Sequence, residues 1–375
     1  MKKLLKKFLA VSVAAGSLFF VPQIYNADLI QIVQAEIKTY TGVGECVQGD
    51  LITLEQAKNY AKLKAELNAK DQAGVYIAQY SKMENYNLTE NKIDLITNSI
   101  VNIVGEVQYK TETTMFGNSP VVKYVATLKA NIDTDGINKY IQRDQKNSED
   151  GKTSAQSELQ SATKDIKDGL NKIDELIERY NKATSQAEKD QIRAEFNDAD
   201  RKVLAGQKND EGIEFANKGE YQKAIELYNE ALAFNSNYDW AYNNRGCAYA
   251  ELKKYDAAIA DLNKAIQLNP NYADAYNNRG IAYKILKQYD AAIADFSKAI
   301  ELNPNDAYYA YNNRGGSYCL IRKFKKAIAD ATKAIEIDPN IANAYVIRGY
   351  CYQALGETEK ANADFAKAKQ FGYQG

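Results

Sequence analysis

The side chains with the most chemistry to offer recur at a fixed interval. Arg245, Arg279, Arg314 and Arg348 each precede a glycine, and Asp261, Asp295, Asp330 and Asp364 each follow sixteen residues later. A guanidinium is a planar fork of donors that matches a carboxylate in a two-bond pair. The constant spacing predicts that each arginine pairs with the aspartate of its own segment, as a structural ion pair. The competing reading turns the four arginines toward a ligand. The first three arginines follow asparagine pairs, Asn243 and Asn244, Asn277 and Asn278, Asn312 and Asn313. A primary amide donates and accepts at once, so a row of them can stand in for the strand partner of an extended peptide. Trp240 and Tyr309 lie just upstream and offer flat apolar surface beside that row. These eight residues are the candidate peptide-binding set.

Other chemistry is excluded by composition. The chain of 375 residues has no histidine. That removes Ser-His-Asp and Cys-His triads, His-ligated metals and imidazole acid–base steps. Chemistry by carboxylates alone stays open, but no residue stands out as catalytic, and no cofactor or metal is implied. The 48 basic and 49 acidic side chains leave a formal charge of −1, which argues against a nucleic-acid surface. Cys46, Cys247, Cys319 and Cys351 form no CxxC pair, so a zinc site is not expected. A bridge between Cys319 and Cys351 is conceivable in an oxidising compartment.

The elements that carry these residues are repeats. Gly212, Gly246, Gly280, Gly315 and Gly349 are spaced by 34, 34, 35 and 34 residues, and Pro270, Pro304 and Pro339 keep the same step. With each glycine at position 8, five units run over 205–238, 239–272, 273–306, 308–341 and 342–375. Small residues fall at positions 8, 20 and 27, where helices must approach closely, and aromatics at 4, 11, 17 and 24 fill the remaining space. Proline at position 32 ends the second helix of a unit, because it cannot donate to the preceding turn. This 34-residue pattern resembles the tetratricopeptide repeat, a helix–turn–helix unit that stacks into a superhelix with a concave binding face. The family favours an apolar residue at position 7, so the arginines there are a departure.

The resemblance implies that positions 2, 5, 6, 9, 12 and 13 of the first helix line the concave face. The asparagines at position 6 form a ladder similar to that of the O-GlcNAc transferases, where such residues hold a peptide backbone. Asp210 and Ile347 interrupt it in repeats one and five. The lysines of a clamp for C-terminal carboxylates are missing at position 2, which holds Trp240, Asp274, Tyr309 and Asn343. The resemblance therefore implies a groove for extended peptide rather than for a chain terminus.

Upstream, residues 153–204 carry an apolar stripe at three- and four-residue steps, from Leu159 to Tyr180 and from Ile192 to Val203. Ser185 and Glu188 fit a capping box between the two halves. This predicts a helical hairpin that shields the end of the array. Residues 36–146 read as an α+β domain of order β-α-β-α-β-β. It has an alanine-rich helix over 54–73, a strand over 74–80, a helix near 91–103 and a hairpin of 106–114 with 121–132. The Gly42/Gly44 pair, the alanine-rich helix, the Ala-Gly-Val-Tyr-Ile strand from Ala73 to Ile77 and the closing strand are similar to the N-terminal domain of flagellar assembly protein T and related exported lipoprotein families. That likeness implies an envelope protein without known catalysis. The start, Met-Lys-Lys-Leu-Leu-Lys-Lys followed by an apolar run from Phe8 to Val21, fits an export signal with cleavage after Ala35.

The reading is thus a signal over 1–35, an α+β domain over 36–146, an all-α hairpin over 153–204 and a tetratricopeptide superhelix over 205–375. It describes an exported bacterial adaptor, periplasmic, envelope-associated or secreted. Its partner is a protein or peptide, with no nucleic acid and no membrane span once the signal is removed. The alternatives are a structural part of a flagellar or outer-envelope assembly, acting through the N-terminal domain, and a carboxylate-based enzyme in that domain.

Overall fold

The computed structural model describes residues 37–48, 50–83, 101–116, 119–133, 156–305 and 307–373. The expected export signal lies outside them, as does most of the helix expected near 91–103.

Strands β1 (Ile37–Gln48), β2 (Val101–Phe116) and β3 (Ser119–Asp133) form an antiparallel sheet of order β1-β3-β2. Along β3, Tyr124, Ala126, Leu128, Ala130 and Ile132 alternate into the core, the period-2 pattern of a sheet with one covered face. The cover is helix α1 (Leu54–Met83). Ala57, Ala61, Ala65, Ala69 and Ala73 are fully buried along it, so helix and sheet approach to backbone distance. Gly44 sits at the closest point, where an added Cβ would stand 2.1 Å from the Ala61 carbonyl oxygen. The strand expected over 74–80 is a correction: these residues continue α1. The four-residue step runs on from Ala73 to a buried Ile77, and this helical period overrides the strand preference of Val75 and Ile77. Residues 101–103, expected to end a helix, open β2.

The hairpin consists of α2 (Gln156–Lys182) and α3 (Gln186–Asn217), and Ser185 Oγ accepts the amide of Glu188 at the start of α3. Its apolar stripe turns toward the N-terminal domain. Ile166, Leu170, Ile173, Phe196 and Val203 share one core with Tyr60, Leu63 and Leu128. Polar ties run over the same seam. Tyr60 Oη donates to Asp200 at 2.6 Å, and Lys64 Nζ reaches Asp174 at 2.6 Å. The boundary expected at 204/205 falls inside α3, whose last turns are the first helix of repeat one. The hairpin therefore joins sheet domain and array through one unbroken helix.

The remaining helices alternate as A and B partners. After α3 comes its partner α4 (Tyr221–Phe234). The later pairs are α5 (Asp239–Glu251) with α6 (Tyr255–Leu268), and α7 (Ala273–Ile285) with α8 (Tyr289–Leu302). They are followed by α9 (Tyr308–Leu320) with α10 (Phe324–Ile337), and α11 (Ala342–Ala354) with α12 (Thr358–Gln370). Gly212, Gly246, Gly280 and Gly349 each face the side chain at position 24 of their own B helix. An added Cβ on Gly280 would stand 2.7 Å from Phe296, and one on Gly212 2.5 Å from Tyr228. Helices α5, α7, α9 and α11 touch one another in turn more extensively than their B partners do. The A row therefore lies on the inner side of the stack, the geometry that makes a solenoid concave on that side.

Candidate peptide-binding groove

The arginine at position 7 organises each joint. Arg245, Arg279, Arg314 and Arg348 donate through Nε and Nη2 to the two carboxylate oxygens of Asp261, Asp295, Asp330 and Asp364, at 2.7–2.8 Å. The remaining Nη1 crosses to position 25 of the preceding repeat. It donates to Asn229 at 2.5 Å, Asn263 at 2.6 Å, Ser297 at 3.0 Å and Thr332 at 3.2 Å. Each guanidinium carbon also stands 5.4–5.5 Å from the ring of the position-4 tyrosine, Tyr242, Tyr276, Tyr311 or Tyr345. One side chain thus locks its own helix pair and pins it to the neighbour. The tyrosines at positions 4, 11 and 17 are mostly half-buried. The most deeply buried tyrosines of the array are Tyr228, Tyr238 and Tyr272.

The asparagines require a correction. Asn243, Asn244, Asn277, Asn312 and Asn313 are all buried, with exposures of 0–3%, and Asn278 is half-buried. They bond to one another between repeats. Asn244 Nδ2 donates to Asn209 at 3.0 Å, Asn278 Nδ2 to Asn243 at 3.1 Å and Asn313 Nδ2 to Asn277 at 3.2 Å. The rule is that position 6 of one repeat donates to position 5 of the repeat before it. A side chain that is buried and bonded within the wall cannot hold a peptide backbone. Sequence reasoning missed this because positions 5 and 6 were assigned to open groove, whereas the close approach of successive A helices covers them.

The ladder fails where its donors do. Ile347 occupies position 6 of repeat five, and Asn312 is left with neither Nδ2 nor Oδ1 bonded. Asp210 occupies position 6 of repeat one, where no repeat precedes it, and its Oδ1 is buried without a donor. Burial is the main cause that raises the Asp210 carboxyl to about 7; Lys70 opposes it, and Glu214, Asp165 and Glu211 add to it. Asn209 and Asn277 each keep an Nδ2 without a partner.

Of the expected aromatic pair, Tyr309 is buried against Tyr308, ring centroids 4.1 Å apart. Trp240 is half-buried against Tyr272 at 4.5 Å. Tyr309 therefore belongs to the wall, and Trp240 alone keeps an accessible edge. The surface that remains open on the A row lies at positions 9 and 13, where Ile285, Leu320 and Tyr350 are 47%, 59% and 52% exposed. Lys284, at position 12 of repeat three, reaches from this surface to Asn313 Oδ1 at 3.2 Å, and burial pushes its ammonium down to about 8. The sequence held a signal for it. Position 12 is Ala216, Ala250, Cys319 and Gln353 in the other repeats, so the lysine is the one cation in that row.

Cys319 and Cys351 are free thiols on adjacent A helices, and a hydrogen bond from Cys351 lowers Cys319 to about 7. Among the described residues no group of three or more cysteine or acidic side chains is placed to hold a metal ion, and no helix is long and apolar enough to cross a membrane. A cavity of about 510 Å³ lies where α2 and α3 meet the 235–239 turn, lined by Asp165, Asp168, Glu195, Asp198 and Asp239 with Lys172 and Lys202.

Comparison with known proteins bears on the helical part. Family models for the tetratricopeptide repeat match residues 212–253, 247–286, 273–306, 308–341 and 331–361. Residues 212–361 are therefore tetratricopeptide repeats. Among solved structures, a crystal structure of MamA is similar at 29% identity, over 43% of this chain and 93% of that one, with a TM-score of 0.39. MamA of Desulfovibrio magneticus RS-1 is 22% identical over 45% and 94%, with a TM-score of 0.41. YrrB, described as a TPR protein with an unusual peptide-binding site, is 24% identical over 44% and 84%, with a TM-score of 0.38. No curated protein matches the chain.

Proposed function

We propose that this protein is an exported adaptor that holds an extended segment of a partner protein along the A-helix row of its repeats. The observation that carries this reading is the contrast within that row. Arginine, aspartate and asparagine close the joints, and apolar side chains stay open at Ile285, Leu320 and Tyr350. Scattered exposed apolar residues need no explanation, but apolar residues repeated at groove positions of a solenoid fit a partner surface. Export is supported by the basic start and the apolar run to Val21.

Crosslinking and capture from envelope fractions tests the binding. The full chain should retain a defined set of proteins, and Ile285→Asp with Leu320→Asp should lose them, while Phe234→Asp on a B helix should not. Capture unaffected by the groove changes would move the contact to the N-terminal domain and end this reading. Sequencing the N-terminus of the envelope-associated protein tests export, with Glu36 as the expected first residue.

A further inference from the structure

Lys284 is unlike the other cations set into the joints of the array. Lysines such as Lys264 and Lys367 also bond to amides, but in exposed contacts. The arginines of the joints have carboxylates at 2.7–2.8 Å, and Lys208 in repeat one has Glu211 at 2.8 Å. Lys284 has an uncharged amide, Asn313 Oδ1, at 3.2 Å. Among the described residues no carboxylate pairs with it, and burial is the one influence on its ionisation. Lys284 is half-buried, open at the groove and screened from water on its inner side. An ammonium partly withdrawn from water without a counter-charge is costly, and proteins keep such groups paired or neutralised. The amide cannot move away to relieve this. Asn313 Nδ2 is tied to Asn277, so Oδ1 is fixed as an acceptor and aims the ammonium.

The surroundings define what completes the site. Ile285 is the next residue on the same helix, and Leu320 and Tyr350 follow in repeats four and five. Trp240 stands in repeat two, on the other side. Apolar contacts therefore lie both before and after the cation along the row. A chain bound there runs past Lys284 rather than ending at it.

We infer that Lys284 and Asn313 form an anion subsite in the groove, and that it takes an internal Asp or Glu side chain of an extended partner segment with apolar residues on both sides. This rests on the proposed peptide-binding reading and adds the chemistry of the ligand. The carboxylate would supply the counter-charge that the chain withholds, with a charge-assisted bond stronger than the amide contact.

The test uses the full chain and a pool of octapeptides blocked at both ends, with each position fixed in turn as Glu, Gln or Lys. A second pool has free C-terminal carboxylates. The expected result is enrichment of Glu over Gln at a central position with apolar neighbours. Lys284→Met should lower the affinity of an enriched peptide about tenfold or more and abolish the Glu preference, while the apolar preference persists. The Tm of the unliganded variant should equal or exceed that of the wild type, because an uncompensated charge is removed. Enrichment without acid preference, or an acid preference that survives Lys284→Met, overturns this inference and leaves peptide binding intact. Enrichment confined to free C-termini replaces the internal side chain with a chain end and also overturns it. A Tm clearly below the wild type would mean that the ammonium already has an internal partner. Retention of no peptide from either pool would bring down the binding reading itself.

Discussion

In repeats two to five an arginine on the A helix binds an aspartate on the B helix and reaches back to the preceding repeat. Repeat one keeps the glycine and the helix pair but inverts the chemistry. Glu211 stands in place of the arginine, Leu227 in place of the aspartate and Lys208 in place of the tyrosine. Its acid is paired within one helix, Glu211 to Lys208 at 2.8 Å, and Lys208 also reaches Glu230 at 3.3 Å. The difference follows from what each repeat must hold. Repeats two to five each dock onto a preceding repeat through the third guanidinium nitrogen. Repeat one has no such neighbour, because its A helix is the end of α3 and is already anchored in the core shared with the sheet domain. The ion pair is thus a joint between repeats as well as a brace within one.

The sharpest way to break this comparison is to remove an arginine from the interior. Arg279→Ala leaves Asp295, 6% exposed, without its partner, and should cost about 2–4 kcal/mol in equilibrium unfolding. Glu211→Ala in repeat one should cost less than about 1 kcal/mol, as partly exposed pairs do. The double change Arg279→Met with Asp295→Leu, which brings repeat three closer to repeat one, should recover most of the loss. If the double variant is as unstable as the single, the role assigned to the pair is wrong.

The glycines give a second, smaller contrast. Gly280 faces Phe296 at 2.7 Å for an added Cβ, whereas Gly315 faces nothing closer than 3.3 Å, because Ala331 fills position 24 in repeat four. Gly280→Ala should cost about 1–3 kcal/mol through overpacking, and Gly315→Ala should fall within about 1 kcal/mol of the wild type. Thermal unfolding of the two variants, compared side by side, would show whether position 8 is set by the backbone or by its neighbour at position 24.

Much of this architecture was readable in the sequence, and the parts that were not share a cause. The five units, the helix cap at Ser185 and the Arg–Asp spacing rest on local periods within one or two helices. The failures depend on which surfaces meet. Val75 and Ile77 suit a strand, yet the burial of Ile77 beside Ala73 extends α1. Gly44 enters the sequence reading only as part of a family likeness, and it proves to mark a helix-to-sheet contact. Asn243, Asn277 and Asn312 share a position with groove residues of related repeats, but successive A helices close over them. The rule joining position 6 to position 5 of the repeat before was present in the text of the repeats. It became visible only once the stacking distance put the two amides in reach.

The two ends of the amide ladder differ in sign. At the first end, Asp210 has acceptors where the later repeats have an amide, and its carboxyl is raised to about 7, chiefly by burial. The folded state then holds a proton that the unfolded chain releases near 4. Stability from this group is full below about pH 4 and falls as pH rises through 7. Asp210→Asn should flatten that decline and raise stability at pH 7 by on the order of 1–2 kcal/mol. Denaturant titrations at pH 5 and pH 7.5 check this, and a decline of equal size in both proteins would assign the pH dependence elsewhere.

At the last end the defect is uncharged and its effect smaller. Asn312 is fully buried with both amide atoms unbonded, because Ile347 offers no donor where Asn244, Asn278 and Asn313 do. Two opposite substitutions should each relieve it. Asn312→Leu keeps the volume and removes the unmet polar group, with an expected gain of about 1 kcal/mol. Ile347→Asn restores the donor, but it exchanges an apolar contact near Gly316 for a polar one, so its gain should be smaller than that of Asn312→Leu. Combining the two puts the new amide opposite a leucine and should be worse than either alone. This non-additivity is the signature of a direct pair. Purely additive effects would show that Asn312 and Ile347 do not share a rung, and that the ladder ends at Asn313 for another reason.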